Sequence, residues 1–297
     1  MRALRLHSPG IAGLALEEID APAVGPGEAL VEVHAAAITK DELEWPVDRL
    51  PAIPSYELSG VVSAVAPDVQ GVAVGDAVYA LTPFDRDGVA ATYAAVPAAL
   101  LAPKPATLDH VESAAMPLPA LSAWQGLFDH GRLESGERVV IHGAAGGVGH
   151  FATQLARGRG AHVIGTASAS SLDDVRALGA HEAFDGRRED LDAAFEPVDL
   201  VFDTVGRELL ERSAAMLRPG GRLVSVAEEP PGSESVEATY FVVEPKRDQL
   251  VEIASLADAG ALRPSIDSVY PLSEASAAFE RSLAGGKRGK VVFRVAA

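Results

Sequence analysis

The residues that most clearly point to chemistry form a glycine turn between an apolar strand and a helix. The apolar run 138–142 leads into GAAGGVG, a helix pattern follows, and a second apolar run, 162–166, completes a βαβ unit. Gly146 and Gly149 take the second and third glycine positions of the dinucleotide fingerprint, and Ala144 takes the first. The missing Cβ atoms let backbone approach a pyrophosphate and let the helix pack closely, with the helix dipole behind the N–H groups. The predicted cofactor contacts in the turn are Ala145, Gly146, Gly147, Val148 and Gly149.

Composition narrows the class of protein. The chain has 297 residues, which is long enough for two domains, and 48% of them are hydrophobic. It has no cysteine, which excludes thiolate metal ligands and fits a cytoplasmic enzyme. The net charge of −17 argues against nucleic acid or an anionic membrane as a partner. We see no stretch apolar enough to cross a membrane and no signal-peptide core at the N-terminus.

The elements around the turn change character along the chain. Residues 1 to about 105 alternate short strands with Gly/Pro turns, which is typical of an all-β domain. From Asp109 helices alternate with strands, which predicts a parallel sheet. The pattern predicts helices over 121–128 and 208–217 and a strand over 198–203. After Leu262 we predict a strand, a helix and a last strand.

Motifs along nearly the whole length resemble the medium-chain dehydrogenase/reductase superfamily. They are GDAV (75–78), YAAVP (93–97), LSAW (121–124), AAGGVG (144–149), LGA (178–180), DTVG (203–206), LRPGG (217–221) and GKVV (289–292). The chain is most similar to the zinc-independent, NADPH-dependent quinone oxidoreductase branch. The resemblance implies an α/β fold with a doubly wound Rossmann domain and a GroES-like catalytic domain built from both chain ends. The expected boundaries are 1–108, 109–261 and 262–297, with the active site in the cleft.

The resemblance also implies that zinc is not used. Zinc-dependent relatives place a ligand cysteine where this chain has Thr39, and a ligand histidine where it has Tyr56. Neither side chain is a usual zinc ligand. None of the eight histidines forms a recognisable ligand spacing. Without this Lewis acid we expect reduction of a quinone or an activated C=C rather than alcohol dehydrogenation.

The end of the second Rossmann strand favours NADPH. NAD sites usually have an acidic residue there, but this chain continues with Ser168 and Ser170, whose hydroxyls can donate to a 2′-phosphate. The family's usual Tyr after the third strand is replaced by Gly186. Arg187 and Arg188 follow and either supply the missing positive charge or are solvated loop residues.

The resemblance assigns further residues to the site. Thr39 and Ser122 are expected near the nicotinamide, together with the backbone at Ala227 and the segment Phe241 to Val243. Lys290 is expected where the family's C-terminal Gly-Lys returns to the cleft, and Val205 and Lys290 are further predicted cofactor contacts. Tyr56 and Thr39 are the predicted catalytic donors for the developing oxygen anion or its proton. The alternatives are that Ser122 is a helix-packing hydroxyl, that Phe241 to Val243 form an edge strand at a dimer seam, and that Tyr56 is a packed ring. Asp41 or Glu42 could orient a substrate, whereas Glu57 is expected to be structural.

Two loops depart from the family pattern. The segment between Asp41 and Pro54 is short, and Trp45, Pro46 and Leu50 are expected to line the substrate pocket or to fold over it. The short segment predicts an open pocket, or altered or lost activity. The loop 228–237 is a candidate lid.

The alternatives to a quinone or enone reductase are an enoyl reductase of secondary metabolism and a non-catalytic NADPH-binding protein. A homodimer is expected by analogy.

Overall fold

A computed structural model describes residues 1–45, 48–232 and 236–296. By the contacts between Cα atoms it divides into two compact units. Unit 1 consists of Met1–Leu118, Pro245–Gly260 and Pro264–Ala297, and unit 2 of Pro119–Glu244 and Ala261–Arg263. No helix in the described ranges is long and apolar enough to cross a membrane.

Strands account for most of unit 1. They are β1 (Arg2–Leu6), β2 (Leu14–Glu18), β3 (Glu28–Ile38), β4 (Glu57–Val65), β5 (Ala77–Leu81), β6 (Tyr93–Pro97) and β7 (Ala102–Pro103), with β14 (Ile266–Pro271) and β15 (Lys290–Arg294) from the other chain end. The larger sheet has the order β14-β15-β3-β4-β5-β7, with β6 also on β3, while β1 and β2 pair separately. Because β15 pairs antiparallel with β3, the two chain ends share one sheet.

The core of unit 1 follows from strand alternation. In β3 the residues Ala29, Val31 and Val33 point inward and are fully buried, while their neighbours are half-buried. Gly60 of β4 allows a close backbone approach, since a Cβ there would lie 2.1 Å from the carbonyl oxygen of Glu32. Helices α1 (His110–Ala114), α6 (Arg247–Asp258) and α7 (Ala275–Leu283) belong to this unit.

The predicted boundaries and the compact units divide the chain differently. Residues 109–118 and 245–260 lie with unit 1, although we predicted 109–261 as the Rossmann domain. The hydroxyl of Tyr79 donates to the carbonyl of Leu250 in α6, which ties this helix to β5. As boundaries between family domains, 108/109 and 261/262 stay predictions.

Unit 2 contains a fully parallel sheet. Its strands are β8 (Arg138–His142), β9 (His162–Ala167), β10 (Glu182–Asp185), β11 (Val198–Asp203), β12 (Leu217–Ser225) and β13 (Glu237–Tyr240). Its helices are α3 (Gly149–Gly158), α4 (Leu172–Ala177) and α5 (Arg207–Arg212), and α2 (Pro117–Trp124) leads into it through a π-helical segment, Gln125–His130.

The strand order of unit 2 is that of a doubly wound dinucleotide fold. The order β10-β9-β8-β11-β12-β13 corresponds to 3-2-1-4-5-6 when the strands are counted within the unit. The chain reverses direction across the sheet between β8 and β11, and ligands of such folds bind at the carboxyl ends of strands at this point. The predicted α/β class is therefore confirmed, with a Rossmann sheet and a β-rich unit built from both chain ends.

Candidate active site

The glycine turn lies at the carboxyl end of β8, beside the switch point. Gly143 has φ +72°, and the carbonyl of His142 accepts a hydrogen bond from the hydroxyl of Thr204 at the end of β11. A Cβ at Gly149 would lie 2.1 Å from the carbonyl oxygen of Gly143, and one at Gly146 would lie 3.1 Å from it. The turn can therefore keep this shape only with glycine at 149.

Backbone donors in this turn are available for an anion. The N–H groups of Gly147 and Val148 have no acceptor within the described ranges, and both residues are half-buried. They directly precede α3, so the positive end of the helix dipole lies behind them. Ala145 is half-buried in the same turn. This arrangement fits a diphosphate, as the sequence predicted for this turn.

Hydroxyl groups cluster just beyond β9. The Ser168 Oγ lies 3.2 Å from the Ser170 Oγ and 3.1 Å from the Ser171 Oγ. Strand β9 itself ends at Ala167, with no carboxylate at its end. The structure thus brings together the two predicted serines and adds Ser171.

One of the two candidate arginines is anchored beside β9. Gly186 donates its N–H to the carbonyl of Ala167 at 3.0 Å, which places the following residue, Arg187, next to the end of β9. The Arg187 Nε lies 3.3 Å from Asp185 Oδ1, and its side chain is 78% exposed. Hydrogen bonds from its N–H and guanidinium hold the pKa of Asp185 below the usual range. The side chain of Arg188 instead pairs with Asp190 at 2.7 Å.

A buried carboxylate that the sequence reasoning did not use organises the end of β11. Asp203 is fully buried and accepts hydrogen bonds from the N–H groups of Val205 and Gly206, and from the Ser225 hydroxyl at 2.9 Å. Burial raises the pKa of Asp203. The Ser225 hydroxyl in turn accepts the N–H of Ala227 at 3.1 Å. One hydrogen-bond network therefore positions the predicted contacts Val205 and Ala227.

The segment after β13 is also held by hydrogen bonds within unit 2. Gln125 donates to the Glu244 carbonyl at 2.9 Å and accepts the Glu244 N–H at 3.0 Å. Phe241 and Val243 are buried, and Phe241 continues the pairing with β12. Ser122 lies one helical turn before Gln125 and is buried. The described part of the candidate lid excludes residues 233–235, so its role stays a prediction.

In unit 1 a buried ion pair contacts the predicted donor Thr39. The Lys290 Nζ lies 2.6 Å from Glu57 Oε1 and donates to Thr39 Oγ1 at 3.2 Å. Lys290 and Glu57 are almost fully buried, whereas Thr39 is half-buried at the end of β3. The second oxygen of Glu57 accepts the N–H of Leu118 at 2.9 Å. Because the pair satisfies its buried charges, it can polarise a hydroxyl that stays partly accessible.

Tyr56 is a packed ring rather than an open donor. Its side chain is 1% exposed, and its hydroxyl accepts a hydrogen bond from Arg49 Nη2 at 3.0 Å. Arg49 also donates to the carbonyls of Phe84 and Arg86. Ring centroids of Trp45 and Phe84 lie 5.7 and 5.2 Å from that of Tyr56. This geometry corresponds to the alternative given for Tyr56 from the sequence, a packed ring.

The described part of the short segment between Asp41 and Pro54 packs onto unit 1. Trp45 covers the Tyr56 ring, and Leu50 packs against the core of unit 1, whereas Pro46 lies outside the described residues. The predicted open pocket stays a prediction.

The residues of this site do not fit zinc. Thr39 and Tyr56 offer a hydroxyl paired with Lys290 and a phenol paired with Arg49. Neither supplies the thiolate or imidazole that zinc prefers. Among the described residues no group of three or more His, Asp or Glu side chains is arranged to hold a metal ion.

Comparisons with known proteins agree with this architecture. Residues 178–293 match the zinc-binding dehydrogenase family, and residues 25–106 match the alcohol dehydrogenase GroES-like domain. The chain is 34% identical over 300 residues to the probable zinc-binding oxidoreductase, mitochondrial, of Arthroderma benhamiae, covering 93% of this chain and 90% of that protein. The chain belongs to the medium-chain dehydrogenase/reductase superfamily. This confirms the resemblance, and members of the superfamily use a nicotinamide cofactor.

Two further proteins similar to this chain carry names that state a specific reductase or oxidoreductase activity. One is the NADPH-dependent alkenal/one oxidoreductase, chloroplastic, of Arabidopsis thaliana, 31% identical over 307 residues, covering 95% of this chain and 76% of that protein. The other is a solved quinone oxidoreductase from Coxiella burnetii, with a TM-score of 0.92 and 29% identity, covering 100% of this chain and 99% of that chain.

Proposed function

We propose that this oxidoreductase transfers a hydride from NADPH to a quinone or to an activated C=C bond, without zinc. The observation that carries the proposal is the Thr39 hydroxyl, polarised by the buried Lys290–Glu57 pair at the position where zinc-dependent relatives are expected to have a ligand cysteine. The names of the alkenal/one oxidoreductase and the quinone oxidoreductase support the substrate class.

NADPH, when bound, supplies the hydride, and the residues of the chain manage the charge and proton that follow. Since Lys290 donates to Thr39 Oγ1, the hydrogen of the Thr39 hydroxyl is available to a substrate oxygen. A donor aimed at the oxygen on which negative charge develops stabilises the transition state. The Thr39 O–H bond then breaks as the substrate O–H bond forms, and a proton from Lys290 or solvent restores the threonine.

The zinc-free part of the proposal rests on the donor set. A zinc ion needs several thiolate, imidazole or carboxylate ligands converging on one point. Thr39 and Tyr56 stand at two of the expected ligand positions, and both hydroxyls already pair with cations of the chain. Glu57, the nearby carboxylate, is bound to Lys290 and to a backbone N–H.

Preference for NADPH over NADH is supported by the end of β9. The clustered hydroxyls of Ser168, Ser170 and Ser171 can donate to a 2′-phosphate, and a carboxylate there would instead favour the ribose 2′-OH of NAD. Arg187 supplies the positive charge, because the bond from Gly186 to Ala167 anchors it beside this cluster. Both arginines pair with a neighbouring carboxylate, but Arg187 lies 3.3 and 3.4 Å from the Asp185 oxygens, whereas Arg188 lies 2.7 and 2.8 Å from those of Asp190. Arg188 is therefore held more closely and has the weaker claim.

The proposal is tested by following NADPH consumption against benzoquinones, naphthoquinones, alkyl and aryl enones and an enoyl thioester, with NADH in parallel. Turnover of quinones or enones with NADPH supports it. Turnover restricted to the thioester would indicate an enoyl reductase. Binding of NADPH without turnover of any acceptor would indicate a binding protein. Metal analysis of the active protein checks the zinc-free claim, while the homodimer and the cytoplasmic location stay predictions.

A further inference from the structure

Glu42 is a buried carboxyl group with no role in the proposed hydride and proton transfer. It is 1% exposed and begins a short 3-10 helix, Glu42–Glu44, three residues after Thr39 in the chain. Its Oε2 accepts the backbone N–H of Thr39 at 3.1 Å. Its Oε1 is buried and has no hydrogen-bond partner among the residues that the structure describes. The Thr39 N–H therefore accounts for one oxygen of this carboxyl group, and the Ser55 N–H is the other backbone donor that acts on it.

The cation that acts on Glu42, Lys290, already pairs with another carboxylate. Lys290 pairs at 2.6 Å with Glu57, so an ionised Glu42 would be a second negative charge beside one ammonium. Burial raises the pKa of Glu42 to about 8, and the charge of Glu57 adds to this effect. The Thr39 N–H, the Lys290 ammonium and the Ser55 N–H oppose it without cancelling it. At neutral pH the carboxyl therefore carries its proton.

We propose that Glu42 is a positioning residue that must hold its proton for Thr39 to stabilise the substrate oxygen, an inference that rests on the proposed reductase function. With Glu42 neutral, the charges of Glu57 and Lys290 cancel, and the ammonium is free to donate to the Thr39 hydroxyl. With Glu42 ionised, the extra negative charge draws the ammonium from Thr39 and repels the oxygen anion forming on the substrate.

The groups that face Glu42 from the surrounding elements are few. Lys290 comes from β15, Glu57 begins β4, and Tyr56 precedes that strand. Burial raises the pKa of Tyr56, so this phenol stays neutral over the range in which Glu42 loses its proton. Lys287 acts on the same Lys290, and burial together with the charges of Lys290 and Lys40 lowers the pKa of Lys287 to about 8. Glu42 and Lys287 therefore both change charge between about pH 7 and pH 9, and Glu42→Gln separates them because it removes only the carboxyl group.

The experiment compares kcat at pH 9 with kcat at pH 7 in the wild-type protein, Glu42→Gln and Glu44→Gln. Glutamine has the shape of the protonated acid and cannot ionise, whereas Glu44 is exposed on the same short helix and serves as the control. We expect the ratio of kcat at the two pH values to be about 0.1 in the wild type and in Glu44→Gln, as loss of one proton requires, and close to one in Glu42→Gln. An unchanged ratio in Glu42→Gln would overturn the inference.

A second measurement does not depend on turnover. Carbon-13 labelled glutamate carboxyls are titrated by NMR in the wild-type protein, and the Glu42 signal is assigned by its loss in Glu42→Gln or by its contact with Thr39. A midpoint near pH 8 supports the inference, and ionisation in the usual carboxyl range overturns it. If no acceptor is reduced at all, the proposed function fails, and this titration alone decides the protonation of Glu42.

Discussion

Replacement of Glu42 by glutamine should stabilise the protein by an amount that grows with pH. The carboxyl ionises near pH 4.5 when exposed and near pH 8 in the folded chain. Between these values the folded state binds one proton more than the unfolded state, so the contribution of Glu42 to stability is lost as pH rises. At pH 7, which is 2.5 units above 4.5, the loss is about 3.5 kcal/mol, from ~1.4 kcal/mol for each pH unit. Glutamine has no such loss.

Urea unfolding between about pH 6 and pH 9 measures this difference. The chain has two tryptophans, Trp45 and Trp124, which lie in different compact units. A Trp124→Phe background therefore lets Trp45 fluorescence report on the unit that holds Glu42. We expect the free energy of unfolding of Glu42→Gln minus that of the background to rise by ~1.4 kcal/mol per pH unit below pH 8 and to level off above it. Glu44→Gln should show no such slope, and a difference independent of pH for Glu42→Gln would refute the reasoning.

Three further predictions concern the proposed site. Thr39→Val should lower kcat by ~10²–10³-fold with little change in the Kd of NADPH, because it removes only the oxygen donor, and a Thr39→Ser variant that is equally slow would contradict this role. Arg187→Gln should raise the KM for NADPH by about tenfold and leave that for NADH unchanged, whereas the exposed Arg176→Gln serves as control; equal effects on both cofactors would count against the 2′-phosphate contact. Gly149→Ala should abolish NADPH binding by calorimetry, because the added Cβ would lie 2.1 Å from a carbonyl oxygen, and binding at wild-type strength would show that the turn can relax.

The central parallel strands could be predicted well from the sequence. The runs for β8 (Arg138–His142) and β11 (Val198–Asp203) were placed at the residues where the structure has them, since strands buried on both faces read as short apolar runs between turns. The ends of helices could be predicted less well from the sequence. We predicted a helix over 208–217, but α5 ends at Arg212 and a 3-10 turn leads directly into β12.

Tertiary packing explains another difference between prediction and structure. The pattern predicted an ordinary helix over 121–128, whereas the chain turns π-helical from Gln125. A Cβ at Gly126 would lie 2.3 Å from the Phe202 ring, so the ring of a distant strand packs directly on this glycine. No local periodicity contains that information.

The candidate site also contains features that local sequence predicts and features that depend on tertiary packing. The positions of the glycine turn and of Ser168 relative to their strands could be predicted because each follows its strand within a few residues, while their contacts with a cofactor stay predictions. The partners of Lys290 lie 251 and 233 residues away in the chain, and the register between β15 and β3 brings them together. Glu42 is held by a contact within three residues, from the Thr39 N–H, but its burial beside Lys290 and Glu57 depends on the same long-range pairing.

The most direct test of the account is the initial rate of NADPH oxidation by the metal-free protein with a quinone and with an enone, measured beside the same reactions with NADH. We predict turnover of at least one of these acceptors, faster with NADPH, that survives exhaustive chelation. Activity that appears only when zinc is added, or that oxidises an alcohol and reduces neither acceptor, would contradict the central claim.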